Sequence, residues 1–172
     1  MTFTAIMSKH DFSAVEFAAR RAHAREAIGT AGLDWFLVFH PVSIRWLTGS
    51  DAKSYQEFQC LLISAKPGPI CVLTRNGERQ EFLDDALVDE LRTWGGGEPE
   101  DPIAALERLA ESLAIKGQRV GMEVPGYYLH PHHYVRVKQL FGESRVVEAT
   151  NLIHDLTLIK SDCELPYIRE AA

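Results

Sequence analysis

Apolar and polar positions along the chain switch between helix-like and strand-like spacing, and the switches outline a set of elements. Phe12 to Ala31 alternates apolar side chains with Arg and Glu at helical spacing, after a loose lead-in of about ten residues, and Gly29 and Gly32 mark its end. Trp35-Phe36-Leu37-Val38-Phe39 is an unbroken apolar run of strand length, the pattern of a strand buried on both faces, with His40-Pro41 as the turn that closes it. A short segment, Ser43 to Leu47, leads to Gly49 and then to a polar stretch, Ser50 to Gln59, which has no clear period and reads as a functional loop. Cys60 to Ser64 and Ile70 to Thr74 flank Lys66-Pro67-Gly68-Pro69, which predicts a hairpin.

The second half alternates. Leu87 to Thr93 fits either a strand or a loose helix, and Gly95-Gly96-Gly97-Glu98-Pro99 is a loop in both cases. Asp101-Pro102 starts a helix reaching Ala114, with Asp as cap, Pro in the first position, and Leu106, Leu109 and Leu113 on one face. A strand over Arg119 to Glu123, a helix from His130-Pro131 to Phe141, a strand over Arg145 to Glu148 and a short helix from Asn151 to Leu158 follow. Alternating strands and helices imply β-α-β units, while the hairpin implies antiparallel pairing earlier in the chain. The expected architecture is α/β, a mixed sheet covered by helices.

The last residues carry a helix start: Ser161 and Glu164 have capping-box spacing, and Pro166 offers an alternative first position. About two turns remain before Ala172, and isolated helices shorter than ~12 residues are marginal. The expectation is a fragment cut at a domain boundary.

Composition narrows the function. The 172 residues suit one domain, and the formal charge of −6 argues against general binding to nucleic acid or anionic membranes. No apolar run approaches the ~20 residues of a membrane span, and no signal peptide opens the chain, so a cytoplasmic protein is expected. Cys60, Cys71 and Cys163 read as reduced thiols, the first two as small buried apolar residues.

The histidines of His130-Pro131-His132-His133 invite a metal, yet only His130 and His133 share a helical face, and no carboxylate lies near in sequence. They read as surface or capping residues. Gly-rich dinucleotide and P-loop fingerprints are absent, as are G-x-S-x-G and H-E-x-x-H. Asp84-Asp85 and Glu98/Glu100 read as solvated turn carboxylates. Ser43-Ile44-Arg45-Trp46-Leu47-Thr48-Gly49, with one Arg among apolar anchors and hydroxyls, suits function or a helix-packing turn equally. A nuclease of the ribonuclease-H type would need clustered acidic residues at strand ends, which Glu123 and Glu148 alone do not supply.

Ala31-Gly32-Leu33-Asp34-Trp35-Phe36-Leu37-Val38, then Pro41 and Ile44-Arg45-Trp46-Leu47-Thr48-Gly49, resemble the start of the creatinase/prolidase N-terminal domain of the pita-bread metallopeptidase family. The likeness continues through Leu73-Thr74-Arg75, Gly117-Gln118-Arg119-Val120-Gly121-Met122-Glu123 and Asp155-Leu156-Thr157-Leu158-Ile159-Lys160-Ser161 to Glu164-Leu165 and Ile168-Arg169-Glu170-Ala171. The resemblance implies a mixed sheet of about six strands with a ribonuclease-H-like motif over residues 1–160. Residues 161–172 would begin the linker helix into a C-terminal catalytic domain.

In the parent enzyme, two divalent metal ions (Mn, Co or Zn) held by carboxylates and one histidine beyond Ala172 would activate water against an amide or amidine-type carbon. The present residues alone would be inactive. Two functions follow from the resemblance. One is the N-terminal domain of a dimeric Xaa-Pro dipeptidase, aminopeptidase or creatinase-like enzyme acting on a small peptide or amide; the other is a protein-interaction module of a homologue that has lost its ligands. In such dimers this domain helps form the interface and reaches toward the partner's site. The resemblance to creatinase puts Tyr55 and Glu57 at substrate-contact positions, with Lys53 the charge that a register shifted along the loop would bring in, and Arg45 nearby. An acid in place of the family's Arg points to a substrate with a cationic or amide group there.

Overall fold

The computed structural model describes residues 12–51 and 57–172. Six strands, β1 (Trp35–Val38), β2 (Cys60–Ser64), β3 (Cys71–Arg75), β4 (Glu90–Trp94), β5 (Val120–Met122) and β6 (Val146–Glu148), form one sheet in the order β4-β3-β2-β1-β5-β6. β2 pairs antiparallel with both β1 and β3, which makes the predicted hairpin, while β3–β4, β1–β5 and β5–β6 are parallel. The expected mixed α/β sheet is what the residues build.

The helices among the described residues are α1 (Ala14–Thr30), α2 (Pro41–Thr48), α3 (Arg79–Asp85), α4 (Pro102–Ser112), α5 (Pro131–Phe141), α6 (Asn151–Leu158) and α7 (Leu165–Ala171). They cover both faces. Successive β1 residues point to opposite sides: Trp35, Leu37 and Phe39 join one core with Leu106 and Leu109 of α4 and Val137 and Phe141 of α5. Phe36 and Val38 join the other with Ala24 and Ile28 of α1, Ile44 and Leu47 of α2, Phe82 of α3 and Ile153 of α6. A strand covered on both sides has no polar face to alternate, which is why this run is apolar throughout. At Gly121 on β5 an added Cβ would lie 2.5 Å from Leu33 Cδ1 and 2.6 Å from Phe36 Cδ2, so the side chains of Leu33, just before β1, and Phe36, on it, pass over a position only glycine leaves open.

Three local readings change. His40-Pro41 does end β1, but it also begins α2, where the His40 imidazole accepts from Val42 N at 3.2 Å and Pro41 takes the first position. Ser43 to Leu47 is therefore helix interior, closed by Gly49 in the left-handed region at φ 79°. Asp84 and Asp85 are the end of α3 rather than a turn; α3 buries Phe82 alone, so its apolar pattern is nearly silent. Leu87 to Thr93 resolves to strand β4 over Glu90–Trp94, an edge strand whose partial burial explains the ambiguity. The predicted loose lead-in lies outside the described residues.

α1 carries three arginines that satisfy backbone carbonyls elsewhere. Arg25 donates to Ser64 O at 2.6 Å, Lys66 O at 2.7 Å and Gly68 O at 2.7 Å, and so holds the hairpin turn. Arg21 donates to Leu47 O at 3.0 Å and to Leu87 O. Arg20 donates to Trp46 O at 3.3 Å.

Candidate functional site

The loop singled out by sequence is framed by two ion pairs. On its N-terminal side Arg45, near the end of α2, lies 3.0 Å from Asp51. On its C-terminal side Glu57 lies 2.9 Å from Arg75 at the end of β3. Both pairs are water-exposed, so each holds its side chains only lightly. Just past Glu57 the chain is anchored: Phe58 is buried against Phe39, ring centroids 5.6 Å apart, and its carbonyl accepts from Trp94 Nε1 at 2.8 Å. Thr48 Oγ1 accepts from Ser50 N at 3.3 Å on the other side. Lys53 and Tyr55 lie outside the described residues. Arg45 and Glu57 are thus set on separate elements with separate partners, and the Glu57 carboxylate already has a guanidinium beside it.

A second polar site stands where β1, β5 and β6 end. Glu123 follows β5 and is 1% exposed; its Oε2 accepts from Phe39 N and His40 N, both at 2.8 Å. Burial pushes this carboxyl up to about 7, against the pull of the Ser43 hydroxyl and the two backbone donors. A cavity of about 270 Å³ adjoins it, bounded also by His40 and Ser43 of the α2 turn, by Thr150 just before α6 and by Asn151 and His154 of α6. Burial, with His154 adding to it, pulls the His40 imidazole below its ordinary value. Sequence had weighed Glu123 only as a nuclease carboxylate. The turn that covers it comes from more than eighty positions earlier, and nothing local announces that contact.

A third cluster joins the chain's last helix to its first. Arg20 is 4% exposed; it donates to Glu16 Oε1 at 3.1 Å, to Glu164 Oε1 at 3.0 Å and to Trp46 O at 3.3 Å, and its guanidinium lies 4.2 Å from the Phe12 ring centre. Ser161 Oγ donates to Glu16 Oε1 at 2.8 Å. Half of the expected capping box forms: Ser161 N donates to Glu164 Oε2 at 2.9 Å, while the Ser161 hydroxyl turns to Glu16 instead of the helix. α7 begins at Leu165, with Pro166 in its first turn.

The remaining candidates have structural roles. His130 caps α5 by accepting from His132 N at 3.1 Å, and the His133 ring meets Phe58 edge-on at 5.3 Å between centroids. Burial first, then the two neighbouring imidazoles, lowers the proton affinity of His133. Among the described residues no three His, Cys, Asp or Glu side chains are placed to hold a metal. Cys60 and Cys71 are buried; burial raises both thiols, Cys71 to about 12 with Glu90 adding to the effect, so neither is a ready nucleophile. Cys163 is exposed. Glu100 accepts from Gly95 N at 2.9 Å and pairs with Arg108, so it closes the glycine loop instead of standing free in solvent.

No helix among the described residues is long and apolar enough to cross a membrane. Residues 20–159 match the sequence model described as Creatinase/Prolidase N-terminal domain. The ectoine hydrolase of Halomonas elongata is 27% identical over 168 residues, covering 93% of this chain and 42% of that protein. Among solved structures, dipeptidase PepE from Mycobacterium ulcerans superposes with a TM-score of 0.72 at 22% identity, over 90% of this chain and 40% of that one. The N-terminal domain of the cytoplasmic peptidase PepQ from Mycobacterium tuberculosis superposes with a TM-score of 0.60 at 20% identity, over 80% of this chain and 98% of that one. The chain therefore spans about two fifths of the length of the curated relatives it matches.

Proposed function

The chain belongs to the creatinase/prolidase N-terminal domain family, and from that premise we propose that it is the non-catalytic N-terminal domain of a dimeric, metal-dependent hydrolase of Xaa-Pro dipeptides, Xaa-Pro peptides or a small creatine-like amide. Residues 1–160 form the domain and 161–172 the start of the linker. Its work is to help dimerise the enzyme and to present the 50–59 loop to the substrate site of the partner subunit. The metal ions, and the carboxylate and histidine ligands that hold them, belong to the C-terminal catalytic domain.

The observation that carries this reading is the framed loop: a polar segment between Asp51 and Glu57, with a rigid anchor at Phe58 and an exposed ion pair at each end. A rigid base with weakly held charges at its rim can exchange those partners for a substrate at little cost. Supporting it, Leu158 and Ile159 at the end of α6 are 62% and 88% exposed, an apolar surface that a following domain would cover. Arg45, Lys53, Tyr55 and Glu57 are the substrate-contact residues under this proposal. Because Glu57 already faces Arg75, its charge toward a substrate is partly offset, which suits a polar amide as well as a cation.

Replacing Glu57 by Ala in the full-length enzyme tests the loop assignment. The expected result is a fall of about tenfold or more in kcat/KM, the effect of ~1.4 kcal/mol of lost transition-state binding, with the thermal midpoint unchanged. Unchanged kcat/KM rejects the assignment. Reading the coding sequence past Ala172 tests the parent activity: an ordered Asp, Asp, His, Glu, Glu set supports a hydrolase, and its absence favours a protein-interaction module.

A further inference from the structure

The cavity beside Glu123 lies where the sheet changes the side on which its connections leave. After β1 the chain enters α2, which packs Ile44 and Leu47 with α1 on one face. After β5 it proceeds to α5, which packs Val137 and Phe141 on the opposite face. β1 and β5 are parallel neighbours whose outgoing segments diverge at adjacent carboxyl ends, and the cavity opens at those ends, walled by the start of α2 and by α6. In open α/β sheets, this divergence is where ligands are held.

The electrostatics select the ligand. The groups that face Glu123 are His40 from α2, His154 from α6, the Cys60 thiol from β2, and the hydroxyl of Ser43. Among the described residues no lysine or arginine lines the cavity. A carboxylate removed from water is normally matched by a fixed positive charge or a metal. Here it has hydrogen-bond donors on one side and a cavity on the other, and among the described residues no three His, Cys, Asp or Glu side chains are placed together to hold a metal. At about 270 Å³ the space is below the range of drug-sized sites and suits a small metabolite.

We propose that this cavity binds a small organic cation carrying N–H donors, a primary ammonium or amidinium group, with Glu123 as its counter-charge and Ser43, Asn151 and Thr157 as neutral hydrogen-bond partners. The cation requires Glu123 ionised, so binding releases a proton wherever that carboxyl is protonated in the empty domain. Affinity is therefore highest at alkaline pH and falls about tenfold per pH unit below the carboxyl's own titration.

The test is calorimetric titration of the chain with propylammonium chloride, and with tetramethylammonium chloride, which has the same charge and no N–H. Saturable propylammonium binding is expected at pH 8, about tenfold weaker at pH 6, with tetramethylammonium bound at least tenfold more weakly than propylammonium at pH 8. Glu123→Gln should abolish binding. His154 is exposed at the cavity's edge, so His154→Trp blocks entry without disturbing a buried contact and keeps the test decisive should Glu123→Gln not fold. Absence of saturable propylammonium binding at pH 8, equal affinity for the two cations, or binding undiminished by His154→Trp overturns the proposal.

Discussion

Arg20 and Glu123 are both ionisable and both nearly out of water, at 4% and 1% exposure, yet the domain keeps them in different ways. Arg20 sits between two carboxylates, Glu16 and Glu164, which are themselves 13% and 16% exposed, with aromatic rings over the guanidinium. Glu123 has no counter-ion among the described residues and is held by two backbone N–H groups and a hydroxyl. The first arrangement joins segments 144 positions apart through opposite charges and works as a clamp. The second fixes a strand-to-helix turn through dipoles, which do not fully replace water around a charge. In the second the protein's own environment favours the uncharged form.

The sharpest way to break this comparison is to remove Arg20. Arg20→Met leaves Glu16 and Glu164 facing each other near a buried surface, and a loss of roughly 3–5 kcal/mol is expected in urea unfolding, the usual scale for deleting one partner of a buried pair. Adding Glu16→Gln and Glu164→Gln to the same variant should recover part of that loss, since the stranded charges go with it. A loss below ~1 kcal/mol for Arg20→Met would mean that the clamp is merely a surface ion pair.

The next effect in size is a pH dependence that belongs to Glu123. Its folded-state value of about 7 lies above the ordinary 4.5, so the folded state binds the proton more tightly than the unfolded one. The stabilisation is complete below pH 4.5 and is lost as pH rises through 7, on the order of 3 kcal/mol at most. Glu123→Gln should flatten this part of the stability profile, whereas Arg20→Met should shift the whole profile down and keep its slope. A slope that survives Glu123→Gln assigns the titration to another group.

Neither buried group could be recognised from the chain alone, although much of the surrounding fold could. Trp35 to Phe39 announced a strand covered on both sides, and the two apolar runs around Lys66 to Gly68 announced their hairpin, because both signals are local. α3 is nearly silent in the sequence because it buries only Phe82, and α2 reads there as a short segment of no assigned type because His40-Pro41 looks the same whether it stops a strand or starts a helix. The carboxylate of Glu123 is buried by a turn 83 residues earlier, and Arg20 by a helix 144 residues later. Contacts at such separation leave no periodic trace, so a Glu after a strand and an Arg within a helix look like ordinary surface residues. The 50–59 loop was legible as polar and aperiodic. Its framing by Arg45–Asp51 and Glu57–Arg75 became visible only with the geometry.

A smaller effect tests how far the Arg20 clamp extends. Ser161→Ala removes the hydroxyl that donates to Glu16 Oε1 at 2.8 Å while leaving the Arg20 contacts in place. A loss of about 0.5–1.5 kcal/mol is expected, with faster amide exchange over α7 than over α1. Equal exchange in both helices would show that Ser161 does not tie the last helix down.

The smallest expected effect on stability concerns the exposed ion pairs, where function should respond more than folding does. Arg75 and Glu57 side chains are 54% and 36% exposed, so Arg75→Gln should change unfolding free energy by no more than ~1 kcal/mol. It nevertheless leaves the Glu57 carboxylate without its neighbouring guanidinium at the rim of the proposed substrate loop. In the full-length enzyme, KM for a substrate bearing a positive group should then fall and KM for one bearing a carboxylate should rise, with kcat nearly unchanged, because the altered charge acts on the bound ground state and the transition state alike. A substrate series in which both KM values stay fixed would show that Glu57 serves only Arg75. Opposite shifts would show the reverse: unlike the buried charges that hold the domain together, this exposed one is kept weakly paired so that it can be handed to a ligand.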